Sequence, residues 1–290
     1  MAGSNRTELE SGADLEGSVD AASHRAGAAW QVGVWDSVSQ IYVDALDERF
    51  APVVDGVIKR AALHPGERVL DLGTGTGEAA IKAASVVGAL GVVVGVDISP
   101  KMVTQARQRV EGLELGSVDF QIGRAEAIPS PSGVFDAVLA SLSLMYAIDR
   151  HAAARECARV LGPGGRLVAA MWGGPEECDI VLFQQTAGRF APEPPVPGVG
   201  PGTLANPALF LTQLAHAGIS ARVERETFGF DFPDFATAWD VLASVTTAGL
   251  APERQHEARE TVFHLMWPDG DGPRHFRNLT QFVVGHRVGG

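Results

Sequence analysis

The apolar residues of the chain follow two alternating periods between about residues 65 and 175. Short apolar runs bounded by Gly, Pro or Asp predict strands, and stretches with apolar residues at helical spacing predict helices. The predicted strands are 69–72, 92–96, 118–122, 135–140 and 166–172, and the predicted helices between them are 78–87, 101–110 and 151–161. Strands that are apolar on both faces and alternate with helices indicate an α/β fold with a mostly parallel, helix-covered sheet.

The region before this alternation is predicted to form a tail and a helical cap. Residues 1–24 are rich in Gly, Ser, Ala and acidic residues without periodicity, which predicts a disordered N-terminal tail. Apolar residues recur at helical spacing over 30–46, and a second helical pattern covers 52–63. We therefore expect an N-terminal helical cap over residues 25–64, ahead of a core at 65–175.

The C-terminal part, residues 176–290, is predicted to complete the sheet. Strands are predicted near 221–230 and 279–287, after a helix at 207–217. Two helical patterns lie between these two strands, over about 232–267. We predict that this segment is an insertion that lies over the carboxyl ends of the strands and acts as a helical lid.

Charge and composition narrow the classes of partner. The formal net charge of the 290 residues is −12, and no cluster of Lys and Arg reverses that sign locally, so we expect neither a nucleic-acid nor a membrane partner. The longest apolar run, 86–96, is too short to cross a membrane. Cys157 and Cys178 lack partners at metal-binding spacing, so we expect buried thiols and no metal site. Without a secretory signal pattern, we expect a soluble, cytoplasmic protein.

A glycine-rich turn follows the first predicted strand of the core. Glycines at a strand-to-helix turn allow positive φ and let a ligand approach the backbone closely. The spacing of Gly73, Gly75 and Gly77 is Gly-x-Gly-x-Gly, so the dinucleotide fingerprint Gly-x-Gly-x-x-Gly is not met. Asp71 at the mouth of this turn would repel a pyrophosphate and attract an ammonium group. S-adenosylmethionine carries an ammonium group and no phosphate, so the turn favours that ligand.

A second acidic residue ends the next predicted strand. Asp97 stands 20 positions after Gly77 and precedes Ile98, Ser99 and Pro100. A carboxylate at this position can accept hydrogen bonds from both hydroxyls of a ribose. Together with the glycine-rich turn, it predicts a nucleoside site at the carboxyl ends of the first two strands.

Four segments together resemble the class I S-adenosylmethionine-dependent methyltransferases. They are 71–77, 96–102, 135–141 and 159–166. The resemblance covers about residues 30–175 and is strongest to the ubiquinone and menaquinone C-methyltransferases and to natural-product small-molecule methyltransferases. It implies a Rossmann-like fold with a mostly parallel seven-stranded sheet, helices on both faces and a helical lid. It also implies methyl transfer from S-adenosylmethionine, with S-adenosylhomocysteine as the product.

The resemblance also assigns residues to the cofactor. Asp71 and the glycine-rich turn would hold the methionine part, Asp97 the ribose, and Ile98 with Met102 the adenine. Ser141 would lie near the methyl group and Tyr42 would close over the carboxylate. The full set is Tyr42, Asp71, Gly73, Thr74, Gly75, Gly77, Asp97, Ile98, Met102, Arg124, Ala125, Glu126 and Ser141.

Adenine recognition departs from the pattern of the family. The family often has an acidic residue beside an alanine after the third strand, and this chain has Arg124 and Ala125 there. Arginine cannot accept a hydrogen bond from the adenine amino group. Glu126 could accept that bond, or Ala125 could bind the ring through its N–H, and the sequence leaves both alternatives open.

The acceptor is predicted to be small and apolar or aromatic. The residues that line its site are expected after the fourth and fifth strands and on the lid, where open α/β sheets bind their ligands. They are Leu144, Met145, Tyr146, Trp172, Trp239 and Phe263. No catalytic residue is assigned, because methyl transfer can proceed by positioning and desolvation. Candidate bases, in case the acceptor must lose a proton, are His151, His264, His275 and Glu176.

Other functions remain open at this point. The same fold could bind the cofactor without consuming it and act as a cyclase or pericyclase. A non-enzymatic binding module and a nicotinamide dehydrogenase fit the acids and the glycine spacing less well. The sequence leaves open which acceptor is used, whether O, N or C is methylated, and the oligomeric state, a homodimer included.

Overall fold

The structure, a computed structural model, describes residues 20–288 apart from Glu114 and Ala248. In this part of the chain seven strands form one sheet. They are β1 (Arg68–Leu72), β2 (Val92–Asp97), β3 (Ser117–Ile122), β4 (Phe135–Ser141), β5 (Leu161–Trp172), β6 (Ile219–Phe232) and β7 (Arg274–Arg287). Their order across the sheet is β3-β2-β1-β4-β5-β7-β6.

The first five strands are parallel, and the last two form a long antiparallel pair. β7 runs antiparallel to β5, from Arg166 opposite His286 to Trp172 opposite Thr280. β6 pairs with β7 over the whole of its 14 residues and therefore points in the same direction as β5. The predicted α/β fold with a mostly parallel seven-stranded sheet is confirmed. The carboxyl ends of β1 to β6 consequently share one edge of the sheet.

Ten helices accompany the sheet in the described part of the chain. They are α1 (Ala21–Ile41), α2 (Asp47–Ala61), α3 (Glu78–Val87), α4 (Pro100–Val110), α5 (Arg150–Val160), α6 (Asp179–Gly188), α7 (Ala208–His216), α8 (Phe235–Leu242), α9 (Ser244–Thr247) and α10 (Pro252–Met266). Arg109 of α4 bonds to Asp47 of α2 and Glu78 of α3, which places these three helices side by side. α5 and α7 pack against each other on the other face.

The N-terminal helix starts earlier than the sequence pattern indicates. The Asp20 side chain accepts hydrogen bonds from the N–H groups of Ala22 and Ser23 and caps α1. Residues 21–24, predicted as part of a disordered tail, are therefore helical, while 1–19 lie outside the described residues. A single π-helical turn, Tyr42–Leu46, links α1 to α2. Such turns insert one extra residue and are frequent at functional sites.

Two features distinguish the C-terminal part. α6 was not predicted, because its apolar residues Ile180, Val181, Leu182 and Phe183 are consecutive and hide the helical period. α8, α9 and α10 form the predicted insertion between β6 and β7. Within the described ranges, no helix is long and apolar enough to cross a membrane.

Candidate active site

A cavity of about 150 Å³, partly open to solvent, lies at the carboxyl ends of β1, β2 and β4. Its floor comes from the strand ends and the glycine-rich turn, and its roof comes from α1 and the first turns of α2. The predicted cofactor residues that line it are Tyr42, Asp71, Gly73, Thr74, Gly75, Asp97, Ile98, Met102, Arg124, Ala125, Glu126 and Ser141. Gly77 does not line the cavity. It starts α3 at φ +88°, and an added Cβ would meet the Ala106 Cβ at 3.1 Å.

The glycine-rich turn exposes its backbone to the cavity at Gly75. This residue has φ +54°, a conformation that favours glycine, and a Cβ added there would meet nothing within 4 Å. The turn is held in place because the N–H groups of Gly73 and Thr74 both donate to the carbonyl of Val96, at 2.7 and 3.0 Å. A ligand can therefore approach the Gly75 backbone without a clash.

Two buried carboxylates face this turn. Asp71 is 1% exposed and accepts a hydrogen bond from Thr74 Oγ1 at 2.7 Å. Asp97 accepts from the N–H groups of Gly75 and Ser99, each at 2.9 Å. Burial raises the pKa of Asp71 to about 6 and also raises the pKa of Asp97. In the described part of the chain neither forms a salt bridge, so a bound cation would stabilise their ionised forms.

These two carboxylates, both hydrogen-bond acceptors, fit S-adenosylmethionine. The ligand's ammonium group can neutralise Asp71, and the ribose hydroxyls can donate to the remaining lone pairs of Asp97. Phosphate-bearing cofactors fit poorly, because both carboxylates would repel them in a medium of low dielectric constant.

A polar network holds the roof of the cavity against the glycine-rich turn. Thr76 Oγ1 donates to Asp47 at 2.7 Å, and Arg109 donates to Asp47 at 2.8 Å and to Glu78 at 2.6 Å. Burial raises the pKa of Asp47, although the bond from Thr76 and the charge of Arg109 oppose that shift. The network joins the start of α2 to the glycine-rich turn through α3 and α4.

At the end of the cavity where adenine is expected, Arg124 and Glu126 already have polar partners within the protein. Arg124 Nη1 lies 3.0 Å from His24 Nδ1 on α1. Glu126 Oε1 accepts from the N–H groups of Ile148 and Asp149, at 2.7 and 3.2 Å. Because Oε1 is occupied, Glu126 can serve the adenine amino group only through Oε2. Ala125 lines the cavity beside them.

One end of the cavity is aromatic. The ring centroids of Trp35 and Tyr146 lie 4.7 Å apart at 90°, and those of Trp35 and Tyr42 lie 6.1 Å apart. Phe50 lies 6.2 Å from Tyr42 and extends this wall along α2. Burial raises the pKa of Tyr42 and Tyr146 above the usual value, so both phenols stay neutral at neutral pH. We call this end, with Gln31, Val54 and Leu144, the aromatic half of the cavity.

Comparisons with known proteins agree with this geometry. A family model described as a methyltransferase domain matches residues 70–169. The 27-O-demethylrifamycin SV methyltransferase of Amycolatopsis mediterranei is 32% identical over 209 residues, which are 71% of this chain and 72% of that protein. The chain belongs to the S-adenosylmethionine-dependent methyltransferases. S-adenosylmethionine is accordingly the cofactor of this methyltransferase.

Other similar proteins match this methyltransferase over a shorter segment or at a lower sequence identity. A ubiquinone/menaquinone biosynthesis C-methyltransferase of Cronobacter sakazakii is 37% identical over 116 residues, or 40% of this chain and 46% of that protein. A putative methyltransferase of Bacillus halodurans has a TM-score of 0.60 at 21% identity, covering 81% of this chain and 99% of that one. The [4+2]-cyclase SpnF has a TM-score of 0.54 at 22% identity, covering 82% and 81% of the two chains. The two structural likenesses show the fold alone.

The structure separates the predicted acceptor residues of this methyltransferase. Leu144 and Tyr146 line the cavity, whereas Met145 and Trp172 are buried outside it, and Trp172 packs behind Phe50 at 5.5 Å. Trp239 and Phe263 lie outside the cavity as well. They pack against Phe235, with ring centroids 6.0 and 5.0 Å away, because α8 and α10 lie beside α6 and the end of β6.

The candidate bases lie away from the cavity. His264 and His275 are exposed and face Glu260 and Asp231. His151 lies 6.5 Å from His216 between α5 and α7, and Glu176 folds back over Gly174. None of the four lines the cavity.

Several lining residues were not singled out from the sequence. They are Gln31, Trp35, Asp47, Phe50, Val54, Leu72, Thr76, Glu78, Ala79, Val96, Gly123, Ser143 and Ala147. A signal exists for Gln31, which is a polar residue one turn before Trp35 on the apolar face of α1. No comparable signal marks Phe50 or Val54, since apolar residues on a helix ordinarily indicate core.

Proposed function

We propose that this methyltransferase methylates a small, neutral, aromatic or apolar acceptor of the natural-product type. The observation that carries the proposal is the division of one cavity into an acidic half at the glycine-rich turn and an aromatic half under α1. A flat apolar acceptor matches the second half in shape and polarity. The relative whose name assigns it to 27-O-demethylrifamycin SV supports a natural-product acceptor.

The residues that line the cavity have separate roles in binding the cofactor and the acceptor. S-adenosylmethionine supplies, when bound, a methyl group on a positively charged sulfur. Asp71 would hold the ammonium group and Asp97 the ribose, and Ser141 at the end of β4 would lie on the side of the methyl group. Trp35 and Tyr146 would hold the acceptor and exclude water, while Tyr42 would close over the carboxylate of the cofactor. Because burial keeps both phenols neutral, neither serves as a tyrosinate base, and we assign catalysis to proximity and desolvation.

A direct test uses isotope-labelled S-adenosylmethionine with a panel of hydroxylated aromatic compounds and macrocycles. We expect release of S-adenosylhomocysteine and a methylated product in mass spectrometry, and much less of both with Asp71→Asn at a cofactor concentration near the wild-type dissociation constant. If an acceptor is rearranged with no release of S-adenosylhomocysteine, the chain acts as a cyclase on the same fold, and the proposal is wrong. Binding of S-adenosylmethionine with no product from any acceptor would count against the acceptor class.

A further inference from the structure

Gln31 is a buried polar residue in the aromatic half of the cavity. It is 7% exposed and lines the cavity one helical turn before Trp35. Its Nε2 donates to the backbone carbonyl of Tyr146 at 2.5 Å. This bond fixes the orientation of the carboxamide, because the planar amide turns Oε1 away from the carbonyl that Nε2 contacts.

The other end of this carboxamide has no partner. No hydrogen bond reaches Gln31 Oε1 from any residue that the structure describes. Gln31 Oε1 is not among the fully buried atoms of the described residues, so on this largely buried side chain it is the cavity that Oε1 can reach. A ligand that fills the aromatic half displaces water from Oε1 and must supply a donor to it, or leave it unpaired. Gln31 therefore matches a ligand that brings an O–H or N–H group to the aromatic half.

The charges of the cavity restrict that ligand further. The charged side chains that line it are Asp47, Asp71, Glu78, Asp97, Glu126 and Arg124. Asp47 and Glu78 are already bound to Arg109, and the charges of Asp47 and Asp97 reach the Tyr42 phenol in the aromatic half. Five carboxyl groups and one cation disfavour an anionic acceptor, so a carboxylate or phosphate group on the acceptor would be repelled.

We infer that Gln31 determines acceptor specificity by accepting a hydrogen bond from a hydroxyl or N–H group of a neutral aromatic acceptor. This inference rests on the proposed function, because it takes the aromatic half as the acceptor site. Gln31 touches the acceptor and takes no part in the bond that is broken or formed. A site built to bind a hydroxyl rejects an analogue that lacks one, since the buried polar group is then left unpaired.

Two matched probes test the inference by binding, with saturating S-adenosylhomocysteine present. 1-Naphthol has the donor, and 1-methoxynaphthalene has the same rings without it. We expect the wild-type protein to bind 1-naphthol about 2- to 12-fold more tightly, the range for one net hydrogen bond. Gln31→Leu should abolish this preference. Gln31→Glu keeps accepting oxygens but loses the donor to Tyr146, and it should retain the preference.

Gln40, which lies on the same helix as Gln31, provides the control. Gln40→Leu makes the same substitution on the exposed face of α1 and should leave the preference unchanged. Equal binding of the two probes by the wild-type protein, no binding of 1-naphthol, or an unchanged preference in Gln31→Leu would overturn the inference. A weaker affinity of Gln31→Leu for S-adenosylhomocysteine would assign Gln31 to the cofactor and overturn it as well. Because binding is measured without turnover, a preference without methyl transfer would refute only the proposed function.

Discussion

At the residue scale, the cavity depends on two carboxylates whose pKa values burial raises. Asp71 has a pKa of about 6, because desolvation outweighs the bonds from Thr74 and Ala80. A cationic ligand binds the ionised form, which predominates above that pKa and is lost as the pH falls through it. The affinity for S-adenosylmethionine should thus depend on pH within an accessible range.

We expect the affinity of the wild-type protein for S-adenosylmethionine to fall as the pH is lowered from 7 to 5, approaching tenfold per pH unit below about 6. Asp71→Asn should bind roughly 10- to 150-fold more weakly at pH 7, the loss of about 1.5 to 3 kcal/mol for a charged hydrogen bond. Its affinity should lack the step near pH 6. Calorimetry across this range measures both effects, and a step that persists in Asp71→Asn would assign it to another group such as Asp97.

A strained residue lies at the end of β4. Leu142 has φ +55°, and Ala62, at the end of α2, is the other non-glycine residue of the described part with positive φ. The Leu142 N–H donates to the Ala170 carbonyl at 2.9 Å, and the next residue, Ser143, donates to the Leu72 carbonyl at 2.6 Å. These bonds hold a conformation that costs about 1 to 2 kcal/mol for a residue with a Cβ. Leu142 lines the cavity, where such strain often serves function.

We expect Leu142→Gly to be more stable than Leu142→Ala by about 1 kcal/mol, because both lose the side chain and only glycine is relieved of the strain. Urea denaturation measures the difference. Ala62→Gly is the matched control and should stabilise the protein by a similar amount, far from the cavity. Equal stability of Leu142→Gly and Leu142→Ala would show that the turn after β4 is unstrained.

At the element scale, α1 is the roof of the cavity and is fastened by few bonds. Asp36 Oδ1 accepts from Ser99 Oγ at 2.5 Å and from the Lys101 N–H at 3.1 Å, at the start of α4. Gly27 allows the helix to approach Ile148 and Val196, where an added Cβ would lie within 3.0 Å of both side chains. A roof that must admit ligands needs contacts of this limited strength.

We expect Asp36→Ala to loosen α1 and to weaken S-adenosylmethionine binding about three- to tenfold, the loss of one or two hydrogen bonds. Hydrogen exchange of residues 21–41 should accelerate in the same variant. Asp44→Ala removes the same charge from an exposed position on the π-helical turn and loses only the exposed bond from Gln40, four residues earlier, so it should change neither quantity. Unchanged exchange in Asp36→Ala would show that packing alone holds the roof.

At the scale of the whole molecule, the position of the insertion follows from the order of the strands. β6 and β7 lie beyond β5, whereas the cavity lies over β1, β2 and β4. The aromatic residues of α8 and α10 therefore join a cluster with Phe183, Phe276 and Trp267 at the far end of the sheet. α9 contacts α1, so the insertion abuts the roof without lining the cavity.

We expect Trp239→Ala to destabilise the protein by about 3 kcal/mol, the usual cost of removing a large packed aromatic side chain. Cofactor affinity and acceptor binding should stay near the wild-type values, because Trp239 lies outside the cavity. Trp35→Ala provides the contrast, with a large loss of acceptor binding. Thermal unfolding and calorimetry separate the two effects, and a loss of acceptor binding in Trp239→Ala would restore the insertion as a lid.

The sequence by itself determined the order of the strands and pointed to Asp71, Gly75 and Asp97 in the acidic half, but not to Asp47 or Glu78. The local sequence pattern located every strand, because both a continuous apolar run, as in β1 and β4, and an alternating one, as in β6, are local properties. Asp71, Gly75 and Asp97 stand at strand ends, and the parallel arrangement brings the carboxyl ends of neighbouring strands together, so their convergence could be predicted. α6 was not predicted, because its four consecutive apolar residues show no helical period.

Only the tertiary structure decided the aromatic half. Gln31, Trp35 and Phe50 lie on helices, and nothing in a helical pattern states whether an apolar face meets a sheet or a cavity. Because the antiparallel β7 lies between β5 and β6, the insertion that connects β6 to β7 lies at the far end of the sheet. Trp239 and Phe263 are therefore outside the cavity. The residues that end a strand can be recognised from the local sequence. The partner of a helix face cannot, because it depends on packing between segments far apart in sequence.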